Sequence, residues 1–536
     1  MTFTSNFTDS LNKKNFLFFS LIFILLFLFF APTHFLANEY AFVSRALQFF
    51  NTNENFIGFS DSIRASIIRV PLYFYFKFFG FEVGLKIART LTLALYALAF
   101  YHFSVSFRFS NLTILTGILI FILAGQSIFR TAFIIGTFEL KVIASIAVIF
   151  SLSYLQREKY LKSIILISLA IYSHFLVGYF WLGAICVFYY LKEKDLKIIL
   201  KYFIKVFLIT LPVLLLLVYE NYFINLNGDI VDYNKIFLDR HDGLTNPFTK
   251  DWNLKKNWIF GYIIIFTNIF LLFFLKKIIK NNLNNNFFSL IIFLNLYFIF
   301  LTIILYFDRE FILAKFIPFR PESFTLIFSL FIIIELTFIF YKKQSLKKKI
   351  IILSTLILLS SSPVLFDHKY NLIRVTQILI QKVHFVSTNF YKPLSYYLEI
   401  EDKELISWAK NKTTEEDIII FEEGRNYSKI KNKDVSLFVK DDNYVLSKLL
   451  SSSWETISER PAYVTRDVIG GNISETINWK KKLDEKMSIY NGNCEIIKNT
   501  SINYIISFSK TSKIKLDNCF EKSFLNFRKY NVYKTR

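Results

Sequence analysis

The sequence predicts a polytopic α-helical membrane protein of about eleven spans, followed by a small C-terminal extracytoplasmic α/β domain. Three observations predict this fold class. The 536 residues are 54% hydrophobic with a mean hydropathy of +0.41, the apolar residues form blocks long enough to cross a bilayer, and basic residues are concentrated in alternate loops. We expect a transmembrane domain at 1–366, with outer loops at 32–84 and 220–257, and the α/β domain at 367–536.

The apolar blocks recur down to about residue 366. The predicted spans are 15–31, 85–105, 112–134, 138–155, 161–174, 176–191, 202–219, 258–276, 287–306, 322–341 and 349–366. Only 29 residues separate Lys162 from Lys192, so we expect a hairpin of two short helices that turns at Ser173-His174. One long helix is the alternative, and it would invert the orientation of everything downstream.

Basic residues indicate the orientation in the membrane. One set of alternate loops holds 19 basic residues against four acidic ones, whereas the loops between them hold 14 of each. Positive residues stay on the cytoplasmic side. We therefore expect a bacterial inner-membrane protein with a cytoplasmic N-terminus and, since the span number is odd, an extracytoplasmic C-terminal domain. The net charge of +22 is explained by topology, so no nucleic-acid partner is expected.

From about residue 367 the composition becomes that of a soluble domain. Short strands are expected at 418–421, 462–465, 504–508 and 531–533, with helical patterns between some of them, notably 475–487. The three cysteines give no metal-site spacing. Cys494 and Cys519 both fall in the domain placed outside, so they can form a disulfide; two unpaired thiols are the equal alternative.

Charged side chains at membrane depth are costly and usually functional, and here they gather at the outer ends of predicted spans. They are His34, Glu39, Arg45, Asp61, Glu139, Lys141, His174 and Arg320. Glu139, Lys141 and His174 are embedded in apolar sequence, where interhelical hydrogen bonding is the alternative to a functional role. Asp229 and Asp232 in the second outer loop are expected to be solvated, and no metal site is predicted.

Several short motifs carry a resemblance to a known family. They are Asn38-Glu39-Tyr40, Gly136-Thr137-Phe138-Glu139-Leu140-Lys141, Ser173-His174-Phe175-Leu176-Val177-Gly178, Pro318-Phe319-Arg320, Trp408-Ala409-Lys410-Asn411-Lys412-Thr413 and Arg460-Pro461-Ala462-Tyr463. These look like the marks of an uncharacterised bacterial multispan membrane family, itself similar to GT-C glycosyltransferases. The resemblance implies a GT-C-like fold, a polyprenyl-phosphate sugar as donor and a site on the outer face. GT-C enzymes usually show paired acids in the first loop, and Asn38 occupies one position of that pair here.

The chemistry of such a transfer assigns roles to the outer residues. An acceptor hydroxyl needs a carboxylate base, for which Glu39 is the first candidate and Asp61 the second. The leaving polyprenyl phosphate develops charge that a cation stabilises, and Arg320, Lys141 and Arg45 are the candidates. Glu139, His174 and His34 are expected to line the pocket. No cofactor is expected, in agreement with the lack of a P-loop or GxGxxG motif.

The expected function is therefore sugar transfer from a polyprenyl-phosphate lipid to an unknown outer-face acceptor, with membrane lipids as the other partners. A transporter or flippase is one alternative, but no internal repeat is evident and Pro212 is the only proline deep within a span. A non-catalytic envelope assembly protein is the other alternative, which Asn38 keeps open.

Overall fold

The computed structural model describes residues 13–31, 37–47, 50, 63–129, 134–219, 233, 236, 247–249, 252–279, 285–308, 319, 321–342, 380, 383–384, 386–387, 400–421, 454–455, 457–464, 473–508, 525–527 and 530–535. Within these residues, six helices are long and apolar enough to cross a membrane, and four shorter apolar helices accompany them. The chain is a helical membrane protein, as its composition predicts.

Two compact units make up the chain. Unit 1 consists of Met1–Ala31, Arg89–Leu214 and Phe237–Ser387, and unit 2 consists of Pro32–Ala88, Leu215–Ile236 and Thr388–Arg536. Unit 2 thus combines the first predicted outer loop and part of the second with the C-terminal third of the chain.

The apolar part contains twelve described helices. They are α1 (Lys13–Phe30), α2 (Ala37–Leu47), α3 (Ile63–Phe79), α4 (Phe81–Phe107), α5 (Asn111–Leu123), α6 (Leu140–Gln156), α7 (Tyr160–Ser173), α8 (Phe175–Glu193), α9 (Leu196–Tyr219), α10 (Trp252–Ile279), α11 (Asn285–Phe307) and α12 (Glu322–Lys342). Ten of the predicted spans overlap one of these helices, and α2 and α3 lie in the predicted outer loop 32–84. The last predicted span, 349–366, lies outside the described residues.

The prediction of one continuous span at 112–134 is wrong in its second half. α5 has 13 residues and ends at Leu123, so it is about 20 Å long, shorter than the hydrocarbon core of about 30 Å. The backbone of Gln126 is left-handed, with φ of 62°. Its side-chain amide donates to the carbonyl of Ile135 (2.9 Å), and its amide oxygen accepts from the N–H of Ile135 (2.8 Å). These bonds stabilise an irregular stretch, here called the polar loop (residues 124–129 and 134–139), whose buried apolar residues resemble a span in sequence.

The hairpin predicted within 161–191 is confirmed. α7 ends at Ser173 and α8 begins at Phe175, with His174 extended between them (φ −150°). Tyr160 at the start of α7 donates a hydrogen bond to Glu193 at the end of α8 (3.3 Å). The two basic ends of the hairpin therefore lie together.

A carboxylate of α12 contacts each end of α5. Thr113 near the start of α5 donates to Glu335 (2.6 Å), and Ser127 just beyond its end donates to Glu322 (2.6 Å). The two glutamates are separated along α12 by about 20 Å of helix, which matches the length of α5. The two helices are therefore antiparallel and joined at both ends.

The C-terminal part contains a mixed four-stranded sheet. Its elements are α13 (Ile400–Lys412), β1 (Ile418–Phe421), α14 (Ile473–Tyr490), α15 (Glu495–Lys498), β2 (Ile502–Phe508), β3 (Leu525–Asn526) and β4 (Tyr530–Lys534). The strand order is β1-β2-β4-β3; β1 and β2 are parallel, and β4 is antiparallel to both of its neighbours. The strand predicted at 462–465 is reduced to one bridge between Ile419 and Ala462.

Each face of this sheet carries its own apolar cluster, because alternate strand residues point to opposite sides. Ile419 and Phe421 pack with Trp408 of α13 and with Trp454. Ile418 and Ile420 pack with Trp479 and Ile489 of α14. Ile236, from the segment Leu215–Ile236 of unit 2, also packs against this second cluster.

The cysteines differ in state. Cys186 in α8 is a free thiol, and Cys494 takes part in a disulfide. Its predicted partner, Cys519, lies outside the described residues, so the pairing of these two residues stays a prediction.

Candidate functional site

Glu322, the first residue of α12, is fully buried and holds the polar loop. The hydroxyl of Ser127 donates to its Oε1 (2.6 Å), and the N–H of Phe129 donates to its Oε2. A buried carboxylate is stable only when it is hydrogen-bonded, and the first turn of a helix also favours negative charge. Glu322 therefore fixes the beginning of the polar loop within the helical bundle.

Phe129 anchors the same part of the loop through its ring. Its ring centroid lies 4.7 Å from that of Trp258 in α10 and 5.2 Å from that of Phe319, just before α12. Two arginines follow these phenylalanines directly in sequence, Arg130 and Arg320, and both lie outside the described residues. The predicted phosphate-binding Arg320 is thus a sequence neighbour of this aromatic group.

Glu139 and Lys141 form an ion pair of 3.0 Å at the other end of the polar loop. Their side chains are 16% and 22% exposed, respectively. Lys141 contacts Oε2 of Glu139, whereas Oε1 is buried and has no hydrogen-bond partner among the described residues. A buried polar atom without a partner costs about 1–3 kcal/mol. Glu139 is therefore kept at a cost that a purely structural residue would not require.

Gly136 allows the loop to reach this position. Its φ of 111° is a backbone conformation that side-chain-bearing residues rarely adopt. A Cβ at this position would also overlap the ring of Phe30 at the end of α1. The backbone conformation and the neighbouring ring of Phe30 thus explain why the motif that contains Glu139 and Lys141 has a glycine at position 136.

His174 lies at the same end of unit 1 as this ion pair. The hydroxyls of Ser151 in α6 and Ser163 in α7 are 2.9 Å apart, and the two helices run in opposite directions. Leu140 precedes Ser151 in α6 by as many residues as His174 follows Ser163 in α7. Because the two antiparallel helices rise by the same distance per residue, Leu140 and His174 lie at the same level along the bundle. We call Glu139, Lys141 and His174 the Glu139 cluster.

The side chain of His174 also begins the next helix. Its Nδ1 accepts a hydrogen bond from the N–H of Val177 (3.4 Å), which caps the N-terminus of α8. The imidazole therefore has a structural role as a helix cap, besides any role in binding.

The remaining predicted site residues are divided between unit 2 and the undescribed part of the chain. Glu39 is fully buried in the first turn of α2, and Arg45 is half-buried in the last turn of that helix. His34, Asp61 and Arg320 lie outside the described residues. The structure thus pairs Glu139 with Lys141 and puts His174 at the level of this pair, and a pocket shared by Glu39 and Arg320 stays a prediction.

The acids of the second outer loop, Asp229 and Asp232, also lie outside the described residues. In the part of the chain that is described, no three side chains of His, Cys, Asp or Glu are grouped as they would be to hold a metal ion.

Two residues of the site are missed by the sequence analysis. Glu322 reads as one of several charges in an outer loop, although an acid at the first position of an apolar helix, directly after Pro321, is a signal for a buried helix-terminal carboxylate. Gln126 gives no such signal, because its role depends on a left-handed backbone that glutamine rarely adopts.

The two C-terminal motifs of the resemblance meet at the end of α13. The guanidinium of Arg460 donates to the carbonyls of Lys410 (2.6 Å) and Thr413 (2.8 Å), so a cation caps the negative end of the helix dipole. Tyr463 donates a hydrogen bond to Glu485 of α14; burial and this neighbouring carboxylate raise the pKa of Tyr463. These motif residues stabilise the α/β structure.

Comparison of the chain with models of protein families finds no match, and a search of curated proteins finds none either. Function is therefore inferred from the geometry of the Glu139 cluster and from the short sequence motifs.

Proposed function

We propose that the protein is a GT-C-like membrane glycosyltransferase, which moves a sugar from a polyprenyl phosphate to an acceptor on the outer face of the bacterial inner membrane. The observation that carries this proposal is the Glu139 cluster, a mostly buried carboxylate–ammonium pair with an imidazole at its level in an apolar helical bundle. Ionisable groups at membrane depth typically mark substrate sites. A lipid phosphate carries its sugar at the level where such helices end.

The orientation is part of the proposal: eleven spans, a cytoplasmic N-terminus and an extracytoplasmic domain at 367–536. The hairpin of α7 and α8 supports it, because it puts the basic segments at 157–162 and 192–197 at one end of unit 1. The antiparallel register of α6 and α7 puts the Glu139 cluster at the opposite end. By the positive-inside rule, that end faces outward.

The reaction needs a base and a cation. The acceptor oxygen attacks the anomeric carbon of the sugar, and the bond from that carbon to the phosphate oxygen breaks. The acceptor proton passes to a carboxylate, and the electron pair of the broken bond leaves with the polyprenyl phosphate, whose charge a cation stabilises. Lys141 supplies a cation within unit 1, and Arg320 and Arg45 remain the other candidates for the phosphate.

Two carboxylates compete for the role of base. Glu139 pairs with Lys141 at 3.0 Å and presents a second oxygen with no hydrogen-bond partner among the described residues. Glu39, the first candidate from the sequence, is fully buried on α2 in unit 2, with Asp61 as its reserve. His174 lies at the level of Glu139, and His34 remains a candidate from the sequence.

The first test is binding of the product lipid. We expect the purified chain in detergent to bind undecaprenyl phosphate, and Lys141→Gln to weaken this binding about tenfold, since a charge-assisted contact contributes about 1.5–3 kcal/mol. Native mass spectrometry measures the bound fraction. The matched control is Lys194→Gln, because Lys194 is exposed and lies at the opposite end of unit 1. Equal binding by wild type and Lys141→Gln would remove the assigned role of Lys141, and no binding by wild type would remove the donor class.

A further inference from the structure

A second group of ionisable residues lies at the end of unit 1 opposite the Glu139 cluster. Arg157, Lys159 and Lys162, at the junction of α6 and α7, all act electrostatically on His102 of α4. The ring of His102 packs against Tyr154 with 4.5 Å between ring centroids, and the ammonium of Lys162 lies 5.4 Å from the centre of the same tyrosine ring. We call these four basic residues the Arg157 cluster.

Arg157 is held in a fixed orientation by neutral groups. Its Nε donates to the hydroxyl of Ser106 (2.7 Å), and its Nη2 donates to the carbonyl of His102 (3.4 Å). The side chain is half-buried. Its position therefore depends on α4, while its charge stays uncompensated by these two contacts.

Among the residues that the structure describes, no carboxylate lies within ion-pair distance of Arg157. Glu158, the next residue, is engaged by Lys192 at 3.2 Å. A half-buried guanidinium beside two ammonium groups is unfavourable without an anion, because burial removes the water that would screen it.

His102 adds an independent observation. Its Nδ1 is buried and has no hydrogen-bond partner in the described part of the chain. A buried imidazole nitrogen without a hydrogen-bond partner is a costly arrangement, and the guanidinium of Arg157 contacts the backbone of the same residue. Within the described part of the chain, a guanidinium without a carboxylate partner (Arg157) thus lies beside a buried nitrogen without a hydrogen-bond partner (Nδ1 of His102).

We propose that the Arg157 cluster binds a phosphate-bearing anion, presented by an anionic lipid headgroup at the rim of the bilayer. Basic pockets between transmembrane helices bind such headgroups, and a guanidinium fork matches phosphate oxygens well. This site is separate from the Glu139 cluster and does not depend on sugar transfer.

The experiment compares lipid retention by full-length variants. The purified chain is titrated with phosphatidylglycerol or phosphatidylcholine and bound lipids are counted by native mass spectrometry. We expect wild type to prefer phosphatidylglycerol, and Lys162→Gln and Lys159→Gln each to weaken that binding about fivefold, as expected for one charge near an anionic lipid. Arg157→Gln is expected to weaken it further. Lys194→Gln is the matched control, because this exposed lysine lies at the same end on the ring of Tyr190.

A competition with inorganic phosphate identifies the source of the anion. Retention of phosphatidylglycerol in millimolar phosphate supports a lipid headgroup, and its displacement supports a soluble phosphate at the same residues. Equal binding of the two lipids by wild type would overturn the proposal. The proposal would also be overturned if Lys159→Gln and Lys162→Gln both bound phosphatidylglycerol as tightly as Lys194→Gln. The two cluster lysine variants keep the test valid should Arg157→Gln fail to fold.

Discussion

Two carboxylates of α12 connect the helices of unit 1, because each one accepts hydrogen bonds from a neighbouring segment. Glu335 accepts from the N–H of Ser110 (2.9 Å) and the hydroxyl of Thr113 (2.6 Å), which caps the start of α5. Glu322 accepts from Ser127 and Phe129 beyond the end of the same helix. A short helix that does not span the bilayer by itself is thus held at both ends by α12.

Replacing Glu322 by glutamine tests this role. The neutral amide has one acceptor oxygen where the carboxylate has two, so one of the two donors on the polar loop loses its partner. We expect a loss of about 1.5–3 kcal/mol, measured as a lower midpoint of thermal unfolding in detergent. Glu158→Gln is the control, because this glutamate is exposed and its ion pair contributes less than about 1 kcal/mol. Equal midpoints for the two variants would contradict the role of Glu322.

Single residues of the site are predictable from sequence only where they break a pattern. Glu139, Lys141 and His174 stand out because they interrupt apolar sequence with charged or imidazole groups. The structure places these three residues at one end of unit 1. The burial of Glu322 depends on its hydrogen-bond donors Ser127 and Phe129, which lie nearly 200 positions away in the chain. No local pattern reports such a distant contact.

The α7–α8 hairpin shows how an element can be predicted from spacing and charge together. Two basic ends so close in sequence are compatible with a return of the chain to the same side. The turn falls at His174, whose extended backbone separates the two helices. The segment after α5 could not be predicted in this way. Its buried apolar residues have the composition of a membrane span, and the left-handed backbone of Gln126, which marks it as a loop, is visible only in the structure.

The tightness of this hairpin gives a prediction with an internal control. A Cβ on Gly178 would overlap the backbone of Ile171, which cannot move aside as a side chain can. We expect Gly178→Ala to lower the unfolding midpoint by the equivalent of about 1–3 kcal/mol. Gly183→Ala in the same helix meets no atom within 4 Å, and its midpoint should stay unchanged or rise, since alanine favours helix by about 1 kcal/mol. A Gly178→Ala protein as stable as Gly183→Ala would refute the close approach of α7 and α8.

On the scale of the whole molecule, the sequence predicts the helical membrane class and the strands β1, β2 and β4 better than the boundaries of compact units. Hydrophobic blocks and alternation are local signals, and they suffice for those elements. The grouping of Pro32–Ala88 and Leu215–Ile236 with the C-terminal third is a tertiary property. Ile236 exemplifies it, because it packs on a sheet formed nearly 200 residues later.

The proposed orientation predicts the behaviour of reporter fusions. Alkaline phosphatase is active only where its disulfides form, outside the cytoplasm. A fusion after Lys410 should therefore be active, and a fusion after Lys348 should be inactive. Fusion proteins of equal abundance with the reverse pattern would overturn the topology, and with it the outward orientation of the Glu139 cluster.

Sugar transfer itself is tested most directly in proteoliposomes that contain undecaprenyl-phosphate lipids with a radiolabelled hexose, supplied with a cell-envelope preparation as the source of acceptors. The measured quantity is label moved from lipid to acceptor. We predict transfer by wild type, and a loss of at least about a hundredfold in whichever of Glu139→Gln and Glu39→Gln removes the base, with folding and membrane insertion intact. Loss in Glu139→Gln alone assigns the base to unit 1, and loss in Glu39→Gln alone confirms the candidate predicted from sequence. Full transfer by both variants would leave Asp61 as the base, whereas no transfer by wild type with any hexose lipid would contradict the proposed function.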